Sequence, residues 1–132
     1  MSARASLTGS WSGAYRYPGA GRETVFNAQI EESIGAFIGS VQEPNDFASG
    51  GAVLHASIEG SREGASVTFT KFYDHADIRH SIRYEGAVDG TLMRIEGRWT
   101  VHIGWSGTFF MIRDDDGEAV EAEAAAEIEI RR

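Results

Sequence analysis

The residues best suited to chemistry in this sequence are few, and none belongs to a standard catalytic motif. The chain has a single lysine, Lys71, which could act as a base or as a Schiff-base amine if it were removed from water. Tyr15, Tyr84 and His80 are the other candidate acids or bases. Because Lys71 stands near the end of a predicted strand, we expect it at the rim of the fold. There is no phosphate-binding loop and no Gly-x-Ser-x-Gly motif, so nothing in the sequence establishes an enzyme.

A second group of polar residues, Asp74, His75, Asp77 and His80, could ligate a divalent cation. Their spacing matches no zinc signature, and the stretch has the composition of a turn, in which aspartate caps the backbone and histidine is solvated. Cysteine is absent, which excludes disulfides, thiolate nucleophiles and iron–sulfur clusters. We therefore expect no metal and no other cofactor.

The elements that must position these side chains are strands. Runs of alternating apolar and polar residues, separated by turns that contain Gly, Pro, Asn or Asp, predict eight strands, near residues 7–17, 24–33, 36–43, 52–60, 65–73, 79–88, 92–102 and 105–113. Asp89-Gly90 between two such runs predicts a hairpin with a primed turn. Short strands joined by tight turns close most simply into an all-β, antiparallel, eight-stranded up-and-down barrel. A two-sheet sandwich is the alternative.

One parity of each predicted strand alternates large and small residues, and this parity should face the inside. The adjacent Glu31 and Glu32 point to opposite faces, so they cannot form an acid–base pair, and we expect both at a solvated rim. Glycines recur on the inward parity. They either leave room for a ligand or allow the strands to bend and bulge. The candidate ligand-binding residues are Trp11, Tyr15, Phe69, Tyr84, Trp99, Phe109 and Arg113.

The charge is concentrated at one end of the chain. Residues 114–132 carry eight acids and two arginines, a net charge of −6 out of −8 for the whole chain. We divide the chain into a β-barrel domain, residues 1–113, and an acidic C-terminal tail, residues 114–132. No basic cluster is present, which argues against nucleic acid and anionic membranes as partners. The sequence contains no run of about eighteen apolar residues, the length that a membrane-spanning helix needs. We expect a cytoplasmic protein.

The last predicted strand suggests self-association. Thr108, Phe110 and Ile112 lie on its outward parity, which is too apolar for a fully exposed face. We expect a homo-oligomer, either a dimer or a tetramer.

The opening segment "LTGSWSGAYRYPG", residues 7–19, resembles the first strand of the avidin and streptavidin family, in which Thr-Gly-x-Trp begins an eight-stranded barrel. The later segments "GAFIGSVQE", "GASVTFTKF", "HSIRYEGAV", "MRIEGRWTV" and "WSGTFFMIR" follow the order of that family's strands. A Gly-x-Trp start is also typical of lipocalin-like barrels. The resemblance covers residues 6–113 and implies the barrel fold.

The same resemblance implies that the aromatic wall of the family's site is partly kept, whereas its biotin-binding polar ring is lost. Phe69, Tyr84 and Trp99 fall where the family has inward tryptophans, and Trp105 falls near the tryptophan that a neighbouring subunit lends. The family's polar contacts correspond here to Gly13, Tyr17, Val41, Ile82 and Arg113. Because a site that loses buried polar contacts loses affinity steeply, we expect no biotin binding.

The sequence thus predicts a barrel that encloses a small, mostly apolar or aromatic ligand, with or without a carboxylate. If the barrel is open, Arg113 would hold the carboxylate in a bidentate fork. Otherwise Arg113 needs a protein carboxylate such as Glu43 or Asp114. Two other functions stay open. One is a barrel enzyme of the cyclase or isomerase type that shapes a small hydrophobic substrate. The other is a filled barrel that serves only as an oligomerisation module.

Overall fold

A computed structural model describes residues 6–19, 21, 23–44, 53–74, 81–101 and 104–114. Within these ranges the chain forms eight strands: β1 (Gly9–Arg16), β2 (Glu23–Ser33), β3 (Ala36–Pro44), β4 (Val53–Glu63), β5 (Ser66–Tyr73), β6 (Ser81–Val88), β7 (Arg94–Thr100) and β8 (Ser106–Arg113). Each strand pairs antiparallel with the next, and β8 pairs with β1, so the sheet is a closed barrel. The predicted all-β up-and-down barrel is confirmed. His75, Asp77, His80 and the tail beyond Asp114 lie outside the described residues.

The inward parity of the strands is the one that the sequence pattern predicts. Along β2 and β4, buried and exposed residues alternate almost without exception, as expected for a sheet with one face in the core and one in water. The buried residues form one hydrophobic cluster that runs through the barrel. Parity therefore identifies the inside of this barrel correctly.

Strand register defines the two ends of the barrel. Trp11 of β1 is opposite Arg113 of β8, whereas Arg16 is opposite Thr108. We call the first end the Trp11 end. We call the other the aromatic end, because Tyr17, Tyr73, Trp99 and Trp105 lie there. The β2–β3, β4–β5 and β6–β7 turns lie at the Trp11 end, and the remaining connections join strands at the aromatic end.

The Trp11 end is closed by stacked side chains. Trp11 is fully buried, and its indole N–H donates to the carbonyl of Leu7, 2.9 Å away. The guanidinium of Arg113 lies 4.9 Å from the centre of the Trp11 ring, within range of a cation–π contact. It donates to three backbone carbonyls, those of Leu92 (3.0 Å), Thr8 (2.7 Å) and Ser6 (2.6 Å). The segment before β1 is thereby tied to the end of β8.

Glu32 also holds this end together, and the expectation that it lies at a solvated rim is wrong. Its carboxylate accepts the backbone N–H of Leu7 at 2.7 Å and Nε of Arg62 at 2.9 Å, and its side chain is only 2% exposed. Leu7 is fully buried, so its backbone N–H needs an acceptor inside the protein. Glu31, on the opposite face, is exposed.

The Asp89-Gly90 segment forms a hairpin between β6 and β7, as predicted, but not by a two-residue primed turn. Leu92, and not Gly90, adopts positive φ, at 56°. The Asp89 carboxylate accepts the N–H groups of Met93 and Arg94, at 2.8 and 3.2 Å. These hydrogen bonds give the turn its longer form, since an aspartate side chain can replace a backbone acceptor in such a turn.

The inward glycines allow neighbouring strands to approach closely. A Cβ on Gly97 would overlap the carbonyl oxygen of Glu85 and the Cα of Gly86 on β6. A Cβ on Gly107 would overlap the carbonyl of Arg16 and the indole of Trp99. The space beside these glycines is thus occupied by protein. These two positions therefore leave no room for a ligand, and their glycines serve the close approach of neighbouring strands.

We expect Gly97→Ala to destabilise the barrel by about 1–3 kcal/mol, because backbone atoms of β6 would have to move to admit the methyl group. Urea denaturation measures this loss. Gly90→Ala is the matched control, since no atom lies within 4 Å of a Cβ at that position and its φ is not positive. Equal effects of the two substitutions would contradict the close-approach role.

The outward face of β8 is less exposed than its sequence suggests. Ile112 is buried, Phe110 is half-buried, and the guanidinium of Arg94 lies 5.2 Å from the Phe110 ring centre. Much of the apolar area that motivated the expected dimer or tetramer is therefore covered within one chain. Self-association stays a prediction.

Candidate functional site

A buried polar cluster lies one layer inside the aromatic end. It consists of Glu43 near the end of β3, Lys71 and Tyr73 near the end of β5, and Tyr15 near the end of β1; we call it the Glu43 cluster. Glu43 and Lys71 are only 4% and 2% exposed. Charged side chains are almost never buried to this extent unless they are paired. The pairing of Glu43 with Lys71 explains why both can lie in the core.

Glu43 is the centre of the cluster and accepts three hydrogen bonds. Nζ of Lys71 donates to Oε2 at 3.0 Å. The hydroxyls of Tyr15 and Tyr73 both donate to Oε1, at 2.8 and 2.6 Å. One carboxylate thus joins three strands across the interior, and the ion pair has no net charge.

Lys71 lies in an aromatic box, and the expectation that it occupies the rim is wrong. Its Nζ is 4.5 Å from the ring centre of Tyr15, 4.7 Å from that of Tyr73 and 5.4 Å from that of Tyr84. Burial lowers the pKa of Lys71, and the negative charge of Glu43 opposes this shift. The side chain is inside because Lys71 shares the inward parity of Val67 and because β5 continues beyond it to Tyr73.

The tyrosines of the cluster are hydrogen-bond donors. The pKa values of Tyr15 and Tyr73 are raised far above the ordinary value of 10.0. Burial is the larger cause, and the negative charge of Glu43 is the second. Burial likewise raises the pKa of Tyr84. All three phenols are therefore protonated at neutral pH and cannot act there as bases without a further change in their surroundings.

Aromatic rings cover the cluster on the side of β1, β7 and β8. Trp99 packs edge-to-face on Tyr15, Tyr17 and Trp105, with centroid distances of 6.3, 5.9 and 5.1 Å. Its indole N–H donates to the carbonyl of Arg16 at 3.0 Å. Tyr17 lies 5.3 Å from Trp105, and Trp105 is 45% exposed. The rings of Tyr17, Trp99 and Trp105 form one continuous aromatic surface whose exposure to solvent increases from Trp99, which is buried, to Trp105; we call it the graded aromatic surface.

A second aromatic group fills the middle of the barrel. Phe69 stacks on Tyr84 with a centroid distance of 4.7 Å and an angle of 7° between the rings. Phe109 packs edge-to-face on both, at 5.9 and 5.0 Å, and Phe37 packs on Phe69. All four residues are buried.

The structure thus divides the predicted ligand-binding residues among three places. Tyr15 and Trp99 lie near the aromatic end, next to the Glu43 cluster. Phe69, Tyr84 and Phe109 form the central packing, whereas Trp11 and Arg113 close the opposite end. Neither carboxylate considered for Arg113 lies with its guanidinium as predicted: Glu43 is near the other end, and Asp114 accepts a hydrogen bond from Ser12.

Sequence reasoning missed Glu43 and Tyr73 as site residues. Glu43 shares the inward parity of Phe37 and Val41 on β3, and Tyr73 shares that of Lys71 on β5. Their parity was therefore a signal in the sequence that Glu43 and Tyr73 face the interior, although it did not show which side chains they meet there.

Metal binding finds no support in the described part of the chain, where no group of three or more His, Cys, Asp or Glu side chains is close enough to hold a metal ion. Of the four residues considered as metal ligands from the sequence, only Asp74 is described. The same ranges contain no helix long and apolar enough to cross a membrane.

Comparisons with known proteins find the fold but no family. No family model and no curated protein matches the sequence, so the avidin-like or lipocalin-like assignment stays a prediction. Three similar solved structures are designed barrels. A redesigned β-barrel has a TM-score of 0.67 at 13% identity and covers 81% of this chain and 90% of that one. The redesigned barrel mFAP1, bound to DFHBI, has a TM-score of 0.62 at 11% identity and covers 81% and 94%. A de novo designed fluorescence-activating barrel has a TM-score of 0.57 at 16% identity and covers 80% and 92%. At these identities the likeness establishes the eight-stranded barrel fold alone.

Proposed function

We propose that this protein binds a small, planar, mostly apolar molecule at the aromatic end of its barrel. The observation that carries the proposal is the combination of a graded aromatic surface, Tyr17, Trp99 and Trp105, with a buried ion pair one layer below it. Binding sites for small molecules typically combine apolar and aromatic walls with a few precisely placed polar groups.

The charges of the cluster favour a ligand that is neutral where it meets the protein. Glu43 and Lys71 already compensate each other, and a ligand carboxylate beside Glu43 would bring two like charges together in a poorly solvated site. A carbonyl or hydroxyl group fits better, because the ammonium of Lys71 has three N–H donors and the described residues give it one hydrogen-bond acceptor, Glu43.

A carboxylate on the ligand would need a different anchor. Arg113, the anchor that the sequence suggested, donates to three backbone carbonyls at the Trp11 end. The proposed ligand therefore binds at the aromatic end without a carboxylate contact to Arg113. The DFHBI-bound barrel supports small-molecule binding only as a precedent on the same fold.

The test is a binding titration with planar aromatic probes: DFHBI, 2-naphthol and 4-(dimethylamino)benzyl alcohol. We expect at least one of them to bind and to change the tryptophan fluorescence. Trp105→Ala should weaken this binding by about tenfold or more, since removing an aromatic wall costs on the order of 1.4 kcal/mol or more.

Phe72→Ala is the matched control, because Phe72 is exposed to a similar extent, 42%, but lies on the outer parity of β5. It should leave the affinity within about twofold. The proposal fails if none of the probes binds, or if Phe72→Ala weakens binding as much as Trp105→Ala does.

An enzyme of the cyclase or isomerase type is the second candidate, because two of the predicted acid–base residues, Tyr15 and Lys71, meet at one carboxylate. Their close approach is an arrangement that acid–base catalysis uses. Mass spectrometry of small molecules released from the purified, denatured protein separates the two functions. A binding protein releases its ligand unchanged, whereas an enzyme that has been given the same compound returns a product of different structure.

A further inference from the structure

We infer that the site at the aromatic end is built to hold an aldehyde covalently, as an imine on Lys71 with Glu43 as its counter-ion. This inference rests on the proposed function and specifies the chemical class of the ligand: a planar apolar molecule that carries an aldehyde at the end that enters the barrel.

The first support is the surroundings of the amine. The Nζ of Lys71 lies between the rings of Tyr15, Tyr73 and Tyr84, so a carbonyl carbon that reaches it is enclosed by apolar walls. An enclosed, poorly hydrated site favours imine formation, because the reaction releases water and because bulk water would hydrolyse the product. Lys71 lies two residues before the last residue of β5, Tyr73, so the amine is close to the aromatic end at which the proposed ligand binds.

The second support is the position of Glu43, whose carboxylate can neutralise the positive charge of a protonated imine as it neutralises that of the Lys71 ammonium. In the reaction the amine nitrogen of Lys71 attacks the aldehyde carbon, a C–N bond forms, and the carbonyl oxygen leaves as water. Ammonium and aldehyde thereby become a protonated imine and water, and no oxidant, reductant or further proton is needed. The positive charge stays on the same nitrogen, 3.0 Å from Oε2 of Glu43 in the free protein.

The third support is the state of the reacting groups. Only the neutral amine is nucleophilic, and burial lowers the pKa of Lys71, which increases the fraction of neutral amine. The hydroxyls of Tyr15 and Tyr73 hold Oε1 of Glu43, which leaves Oε2 facing the nitrogen. Both phenols are protonated at neutral pH, and each can donate a hydrogen bond.

The experiment uses 4-(dimethylamino)benzaldehyde as the probe, with sodium cyanoborohydride to reduce any imine to a stable amine. Because Lys71 is the only lysine, peptide mapping can distinguish it unambiguously from the α-amino group of the chain. We expect one reduced adduct on Lys71, formed at least tenfold faster than on the α-amino group. Before reduction, a new absorption band at longer wavelength should report the protonated imine.

Two variants test the roles of the residues. Lys71→Arg keeps a cation beside Glu43 and should abolish the adduct and the band. Glu43→Gln removes the counter-ion, so the long-wavelength band should disappear at lower pH than in the wild type, because the protonated imine has lost its negative partner. Circular dichroism checks that each variant keeps a β-sheet spectrum. If either variant does not fold, the mapping of the wild-type adduct decides the question.

The failure of this inference is distinguishable from the failure of the proposed function. 4-(dimethylamino)benzyl alcohol has the same shape but cannot form an imine. Binding of the alcohol without an adduct of the aldehyde on Lys71, or with an adduct only on the α-amino group, would overturn the covalent step and leave the binding site in place. If the aldehyde forms no adduct on Lys71 and none of the planar aromatic probes binds, both proposals fail.

Discussion

Lys71→Met will destabilise the barrel by about 3–5 kcal/mol at neutral pH, the loss expected when one partner of a buried ion pair is removed. The substitution leaves the Glu43 carboxylate in the core with only the hydroxyls of Tyr15 and Tyr73 as partners. Urea denaturation followed by circular dichroism measures the loss. The matched control is Arg83→Met, which breaks the ion pair between Nε of Arg83 and Oε1 of Glu85, 2.9 Å apart. Both side chains of this pair are about 60% exposed, and an exposed ion pair contributes about 0–1 kcal/mol to stability.

The double variant Lys71→Met with Glu43→Gln should recover part of this stability, because no buried charge is left unpaired. A double variant less stable than Lys71→Met, or a Lys71→Met variant no worse than Arg83→Met, would show that Glu43 and Lys71 do not compensate each other in the folded protein.

The Glu43→Gln variant has a pH dependence of known sign. Glu43 raises the pKa of Lys71 against the lowering effect of burial, so its removal leaves the folded-state pKa further below the unfolded value of 10.5. In the window between these two values the unfolded chain binds more protons than the folded one, and stability rises with pH. The deficit of Glu43→Gln relative to the wild type should therefore be largest near neutral pH and shrink as the pH approaches 10.

Trp11→Ala will cost about 3–5 kcal/mol, because it removes a fully buried indole from the end of the core. The loss includes the hydrogen bond to the Leu7 carbonyl and the contact with the Arg113 guanidinium. Thermal or urea unfolding measures it, and Trp105→Ala is the control, since that indole is half exposed and its removal should cost less than about 1 kcal/mol.

Arg113→Met tests the same unit from the other side. It should also destabilise, since three backbone carbonyls lose their donor, and its effect should not add to that of Trp11→Ala because the two side chains are in contact. Strict additivity would mean that the indole and the guanidinium act independently, and a Trp11→Ala variant as stable as Trp105→Ala would contradict a closing role for Trp11.

The extent of sequence-based prediction differs between the fold and the site. The barrel follows from local signals that a single strand contains, namely period-two alternation and turn residues, and all eight predicted strands are confirmed. The site depends on how far each inward side chain lies from the end of the barrel. The alternation of apolar and polar residues shows which side chains face inward, but it does not give this distance. Lys71, expected at the rim, is one layer inside, and the turn at Asp89 depends on side-chain hydrogen bonds to Met93 and Arg94.

The sequence by itself determined the number of strands, their antiparallel order and the parity that faces inward, because each of these properties is encoded within one strand and the turn that follows it. Only the tertiary structure decided which inward residues meet. Glu43 and Lys71 are separated by 28 residues and lie on strands β3 and β5, which are not hydrogen-bonded to each other, yet their side chains pair across the interior. Arg113 reaches the carbonyls of Thr8 and Ser6, which are more than a hundred residues away in the chain. Such pairings depend on the register of every strand pair around the closed barrel, since the accumulated stagger of the strands sets the height of each side chain.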